Sequence, residues 1–202
     1  RLNTEGKGMK ETRIDECLSN RNGVLFVEEI ASTELIERFG SPLFVFSEDQ
    51  VRRNVRRFRT AFETGWTVGP VKLMPAAKAN WIYAIQRVLA DESCGADIYS
   101  AGELEIALRA GVDPRFISVN GVPKAKEHIR RTLEVGARLT IDSLQDAAFL
   151  EQLAPTLPKT AYVRLRIRPA ISDFVKKSDF PAEGMVPTDL AALVYKGGLS
   201  ID

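Results

Sequence analysis

The 202-residue chain is short of several things, and each shortage removes a class of function. It carries one histidine, His128, and two cysteines, Cys17 and Cys94, far apart in sequence. Two distant cysteines make no disulfide framework, so a reducing, cytoplasmic setting is the simplest reading. No metal centre is expected, and His128, in Lys126-Glu-His-Ile-Arg130 on a helix-like segment, is expected at the surface. No apolar run approaches the roughly 18 residues needed to span a bilayer. The polar start, Arg1 to Asn22, lacks the apolar centre of a signal peptide and reads as a flexible lead-in. Charged residues make up 27% of the chain but leave a net charge of +1, so no global field recruits nucleic acid or an anionic membrane. Neither partner is expected. A G-x-G-x-x-G turn after a strand is also missing, which argues against a dinucleotide fold.

What is present centres on Val71-Lys-Leu-Met-Pro-Ala-Ala-Lys-Ala-Asn80. An apolar, strand-like run ends in small residues around Lys78, and a helix-like segment, Trp81–Ala90, follows. A solvated lysine has no need of methyl-sized neighbours, whereas one that must reach a bulky planar group does. Further strand-like runs occur at Ala96–Tyr99, Phe116–Val119, Arg138–Ile141 and Ala161–Ile167. Helix-like segments at Ala101–Ala110, Lys124–Val135 and Leu144–Leu153 lie between them, with Gly111 and Gly136 as C-terminal glycines. Strands alternating with helices at a period of about 20 to 25 residues imply parallel strands joined by right-handed crossovers. A (β/α) barrel and a doubly wound sheet both satisfy that pattern.

Upstream, Val24–Val27 and Leu43–Phe46 read as short strands, and Ser32 or Thr33 as the cap of a helix ended by Gly40. Ser47 caps an amphipathic helix whose apolar face is Val51, Val55, Phe58 and Phe62. Its arginines, Arg52, Arg53, Arg56, Arg57 and Arg59, read as a solvated face rather than a phosphate site. Downstream, Ala170–Pro187 reads as a long loop, Thr188 as the cap of a helix over Asp189–Tyr195, and Leu199-Ser-Ile201 as the start of another strand.

These residues resemble the fold-type III pyridoxal-phosphate decarboxylases, whose nearest members here are the diaminopimelate, ornithine and arginine decarboxylases. Ser41-Pro-Leu-Phe-Val-Phe46 is similar to their T/S-P-L-Y-V-Y, and Pro75-Ala-Ala-Lys-Ala-Asn80 to their Y-A-x-K-A-N. Gly95-Ala-Asp-Ile-Tyr-Ser-Ala-Gly-Glu-Leu104 matches G-x-D-x-x-S-x-G-E-L. Ala110–Pro114 with Ile117-Ser-Val-Asn-Gly121, then Ile141-Asp-Ser143, then Leu165-Arg-Ile-Arg-Pro169, follow in the family's order. The resemblance implies a (β/α)8 TIM barrel of the alanine racemase/decarboxylase type followed by a β-rich domain, working as a homodimer on an amino-acid substrate. It implies pyridoxal 5'-phosphate as cofactor, held by Lys78 as a Schiff base. Asp97 is similar to an acidic residue beside the cofactor, Arg166 to the arginine of L-R-x in the same site, and Asn80 and Ser100 to motif residues that also suit a turn and a helix cap.

The chain departs from the family in places. Pro75 stands where tyrosine is usual, and it removes a ladder hydrogen bond from a strand expected to be central. Ser178-Asp-Phe-Pro181 replaces S-K/R-F-G, and the family's cofactor-stacking histidine has no counterpart, Asp202 reaching or nearly reaching its place. A barrel needs about 250 residues. The expected organisation is therefore a lead-in with a short strand and helix over residues 1–40, then an incomplete barrel of about five to six strands over 41–202, with the C-terminal β domain absent. The expected function is decarboxylation in amino-acid metabolism, within lysine biosynthesis, by a chain too partial to be efficient alone. The alternatives are a non-catalytic barrel homologue that binds or regulates a partner, and a racemase of the same fold type.

Overall fold

The computed structural model describes residues 11–121, 124–157 and 161–167, together with Met185 and Thr188. The chain forms two compact units, Arg1–Gly65 and Trp66–Asp202.

The first unit opens on an antiparallel meander of β1 (Glu11–Asp15), β2 (Leu18–Arg21), β3 (Val24–Val27) and β4 (Ile30–Ala31), hydrogen-bonded in that order. The stretch expected to be a flexible lead-in thus holds two paired strands. The turn chemistry explains why: Asn22 and Gly23 both take positive φ, 54° and 88°, as a two-residue turn matched to strand twist requires. Asn20 Oδ1 accepts the Gly23 N–H at 2.8 Å, tying the turn down. Helix α1 (Ser32–Phe39) follows β4 directly, and Ala31, without a side-chain cap, precedes it, so neither Ser32 nor Thr33 caps it. Leu43–Phe46 forms no strand.

Helix α2 (Glu48–Gly65) is capped as its sequence suggests, with Ser47 Oγ accepting the Gln50 N–H at 3.0 Å. Its arginines are more engaged than a solvated face requires. Arg53 pairs with Glu28 at 2.9 Å, Arg57 with Glu16 at 2.6 Å, and Arg52 with Glu48 one turn back. Glu28 and Glu16 come from the turns of the meander and Glu48 from α2 itself, so Arg52, Arg53 and Arg57 are bound internally rather than left for a phosphate.

The second unit alternates helix and strand: α3 (Tyr83–Asp91), β5 (Ala96–Ile98), α4 (Ala101–Arg109), β6 (Ile117–Val119), α5 (Lys126–Glu134), β7 (Arg138–Ile141), α6 (Leu144–Leu153) and β8 (Val163–Leu165). The four strands pair in parallel in the order β5-β6-β7-β8. Ile98, Ile117, Val119 and Leu139 on one face are each 0% exposed, and α4, α5 and α6 pack there. Each such side chain contributes roughly 1.5–3 kcal/mol by leaving water. The pairings Asp97 with Ser118, Ser118 with Arg138 and Thr140 with Arg164 put polar residues on the opposite face. Parallel sheets covered on both faces read as continuous apolar runs; these strands alternate, so one face is a helix-covered core and the other is polar.

Three differences from the sequence expectation have physical causes. Val71–Ala77 does not form a regular strand, although the N–H groups of Gly95 and Asp97 donate to Leu73 O and Pro75 O at 2.8 and 3.0 Å. The donor that would answer from this segment is the N–H of residue 75, and proline has none. What remains is an isolated parallel bridge, Ala76 to Asp97. His128 is 7% exposed rather than at the surface, because it shares the inward face of α5 with Ile129, Thr132 and Leu133. Met185, within the stretch expected to be a loop, is 2% exposed in the core and pairs in parallel with Ile167. The expected helix over Asp189–Tyr195 and the strand start at Leu199–Ile201 lie outside the described residues. Among the described residues, no helix is long and apolar enough to cross a membrane.

Candidate active site at the carboxyl ends of the parallel strands

Lys78 occupies the middle of a 3-10 turn, Ala77–Ala79, immediately after the bridge that joins Ala76 to β5. Ala77 is buried at 1% exposure and anchors the turn, while Lys78 is exposed. Its Nζ lies 4.4 Å from the centroid of the Tyr99 ring, a cation–π distance. Among the described residues, no carboxylate pairs with this amine. Tyr99 in turn packs against Gly121, where a Cβ would stand 2.8 Å from the tyrosine Cδ1 and where φ is 92°. Only glycine suits both constraints.

Asn80 closes the turn. Its Oδ1 accepts the Ile82 N–H at 3.1 Å, and its carbonyl accepts from Gln86 Nε2 at 2.8 Å, so it joins the turn to α3. Ser100 caps α4: its Oγ accepts the Glu103 N–H at 3.2 Å, and Glu103 Oε2 accepts the Tyr99 N–H at 2.9 Å. This is a variant of the capping box in which Glu103 reaches one residue past the cap, and it fixes the backbone of Tyr99 beneath Lys78. Both residues therefore have structural duties here.

Asp97 lies on β5, beside the bridge that precedes Lys78. Its carboxylate accepts a hydrogen bond from Asn120 Nδ2, and Asn120 Oδ1 accepts from Thr140 Oγ1 at 2.6 Å. Arg164 Nη1, from β8, donates to Ser118 Oγ at 2.8 Å. These bonds run laterally across all four strands on the polar face.

Arg166 follows β8 and donates to Asp142 Oδ1 at 3.2 Å. Asp142 is wholly buried and also accepts from Lys124 Nζ, itself 2% exposed; Lys124 reaches Asp146 Oδ2 at 3.4 Å. An ion pair this deep is costly unless every partner is satisfied, and here each charge has more than one contact. The sheet thus brings Lys78, Asn80, Asp97 and Ser100 together at its β5 side, and places Arg166 at the β8 side with β6 and β7 between.

Sequence reasoning gave no role to Tyr99, Asn120, Lys124, Thr140 or Asp146. Asn120 was legible in principle: Ser118 and Asn120 continue the polar alternation of β6 into the mouth of the sheet. Lys124 had no such signal, because its burial depends on Asp142 and Asp146 arriving from β7 and α6. His128, near Lys124, has its pKa held below the ordinary 6.5, first by burial and then by the lysine charge, with Glu103 opposing. Neither ring nitrogen has a hydrogen-bond partner among the described residues. Among those residues, no group of three or more His, Cys, Asp or Glu could hold a metal ion.

Comparison with known proteins adds to this geometry. The family model described as "Pyridoxal-dependent decarboxylase, pyridoxal binding domain" matches residues 48–180. Diaminopimelate decarboxylase from Zymomonas mobilis is 38% identical over 154 residues, covering 76% of this chain and 36% of the relative. The Methanocaldococcus jannaschii enzyme of the same name is 37% identical over 162 residues, covering 78% of this chain and 37% of the relative. A crystal structure of diaminopimelate decarboxylase from M. jannaschii superposes with a TM-score of 0.79 at 30% identity, over 89% of this chain and 44% of that one. The chain therefore spans well under half the length of the relatives it matches.

Proposed function

Because the chain belongs to the pyridoxal-dependent decarboxylase family, and its parallel sheet is part of that family's (β/α)8 barrel, we propose that the whole protein is a pyridoxal-phosphate-dependent decarboxylase acting on diaminopimelate. The placement of Lys78 carries the proposal: a primary amine on a methyl-flanked turn at the carboxyl end of the sheet, beside an aromatic ring, with no carboxylate pairing it among the described residues. The donor set fits the cofactor, since an amine without an acidic partner is open to a covalent bond with an aldehyde carbon.

When bound, pyridoxal phosphate supplies an electron sink for the charge left on the substrate as CO2 departs. Lys78 Nζ would attach the cofactor and later carry a proton to the substrate α-carbon. Asp97 would lie beside the cofactor at the β5 side of the sheet. Arg166, steadied by Asp142, would offer its guanidinium from the far side of the polar face. Asn80 and Ser100 would hold the turn and the helix that frame the lysine.

In this reading residues 41–202 are part of the pyridoxal-binding barrel, a β-rich domain belongs to the whole protein, and the working form is a homodimer in the cytoplasm. Cys17 and Cys94 form no disulfide among the described residues, which suits a reducing compartment. The activity would place the protein in lysine biosynthesis. The test is CO2 release by the full-length protein from diaminopimelate, ornithine, arginine and lysine in turn. Release from diaminopimelate that Lys78→Ala lowers by at least about 1,000-fold supports the reading. Cofactor binding without release from any of the four substrates leaves the family and removes the activity.

A further inference from the structure

Asp97, Asn120 and Thr140 form a hydrogen-bonded series on the polar face that links β5 to β7. Asp97, between buried Ala96 and Ile98 on β5, presents its carboxylate to the amide of Asn120, just past β6. A carboxylate only accepts, so the amide must turn its Nδ2 toward Asp97 and its Oδ1 away. That outward oxygen meets Thr140 Oγ1 on β7, whose hydroxyl donates to it at 2.6 Å. Thr140 is 6% exposed, so its hydroxyl is largely shielded from water. The Asn120 backbone is itself fixed, its N–H donating to Ile98 O at 2.8 Å. Every rotor between β7 and the Asp97 carboxylate is thereby committed to one orientation.

We propose that Asn120, held by Thr140, is a positioning residue that sets the orientation of the Asp97 carboxylate toward the Lys78 side of the site. It rests on the pyridoxal-dependent reading above. The chain runs in one direction, Thr140 hydroxyl to Asn120 oxygen and Asn120 amide to Asp97. Removing the threonine hydroxyl therefore removes the bond that fixes the amide from its oxygen side, and the Nδ2 donor to Asp97 is no longer held in one place.

The test uses full-length protein stripped of cofactor and titrated with pyridoxal phosphate, following the visible band of the bound group, its pH dependence and thermal unfolding. Asn120→Ala and Thr140→Val are expected to weaken cofactor binding about tenfold and to move the pH midpoint of the band by more than about 0.5 unit. Thr140→Ser, which keeps the hydroxyl, is expected to restore both readouts. If Asn120→Ala does not unfold cooperatively, the Thr140→Val and Thr140→Ser pair decides alone. Wild-type-like affinity and pH midpoint in Thr140→Val, with the unaltered protein binding normally, overturn the inference and leave the proposed function intact. An unaltered protein that shows no bound band removes the proposed function, and this inference with it.

Discussion

At the scale of single residues, the site depends on what each side chain is denied as much as on what it touches. Lys78 has an aromatic ring 4.4 Å away and no acidic partner among the described residues. Tyr99 can approach only because residue 121 has no side chain. Gly121→Ala would place a methyl 2.8 Å from that ring in a backbone region that alanine avoids. It should lower cofactor affinity at least tenfold and stability by about 1–3 kcal/mol, read by titration and by urea unfolding. His128 shows the opposite condition, a buried ring with no partner for either nitrogen among the described residues. Its pKa is depressed on folding, so the unfolded chain binds the proton more readily. Stability should be full above pH 6.5, the ordinary histidine value, and should decline as pH falls below it. His128→Leu should flatten that decline and add about 1 kcal/mol at neutral pH; urea midpoints at pH 5.5 and 7.5 check both. The sequence placed this histidine at the surface because its charged neighbours Lys126, Glu127 and Arg130 dominate the local composition. The helical spacing of Ile129 and Leu133 carried the correct signal.

At the scale of elements, the helices and the parallel strands after residue 90 were legible because their apolar period switches cleanly between helix and strand. The meander was less so. Its signal is the Asn22-Gly23 turn, two residues long and easily passed over in a polar stretch. The first strand of the second unit failed for a different reason, a single missing donor at Pro75 beside Gly95 and Asp97. Pro75→Tyr restores that donor and should stabilise the full-length protein by about 1 kcal/mol, with slower amide exchange in residues 73–77. An unchanged melting profile would show that the loss of ladder has another cause. The Lys124, Asp142 and Asp146 cluster fastens the segment after β6 to β7 and α6. Lys124→Met would strand buried carboxylates and should cost about 3–5 kcal/mol. Adding Asp142→Asn should recover part of that loss.

At the scale of the whole molecule, the alternation of the parallel strands is the most informative feature. One face is a packed core under α4, α5 and α6, and the other gathers Asp97, Ser118, Asn120, Thr140 and Arg164 into one hydrogen-bonded surface. The order of motifs along the sequence made the barrel fold legible. The lateral bonds were not, because they join residues 20 to 46 positions apart that only strand pairing brings together. The central claim is that this surface serves a cofactor carried by Lys78. The most direct measurement adds pyridoxal phosphate to the full-length protein, reduces with borohydride and locates the added mass by peptide sequencing. The account predicts a single pyridoxyl adduct on the peptide containing Lys78, absent in Lys78→Ala. No adduct, or an adduct confined to another lysine, contradicts it.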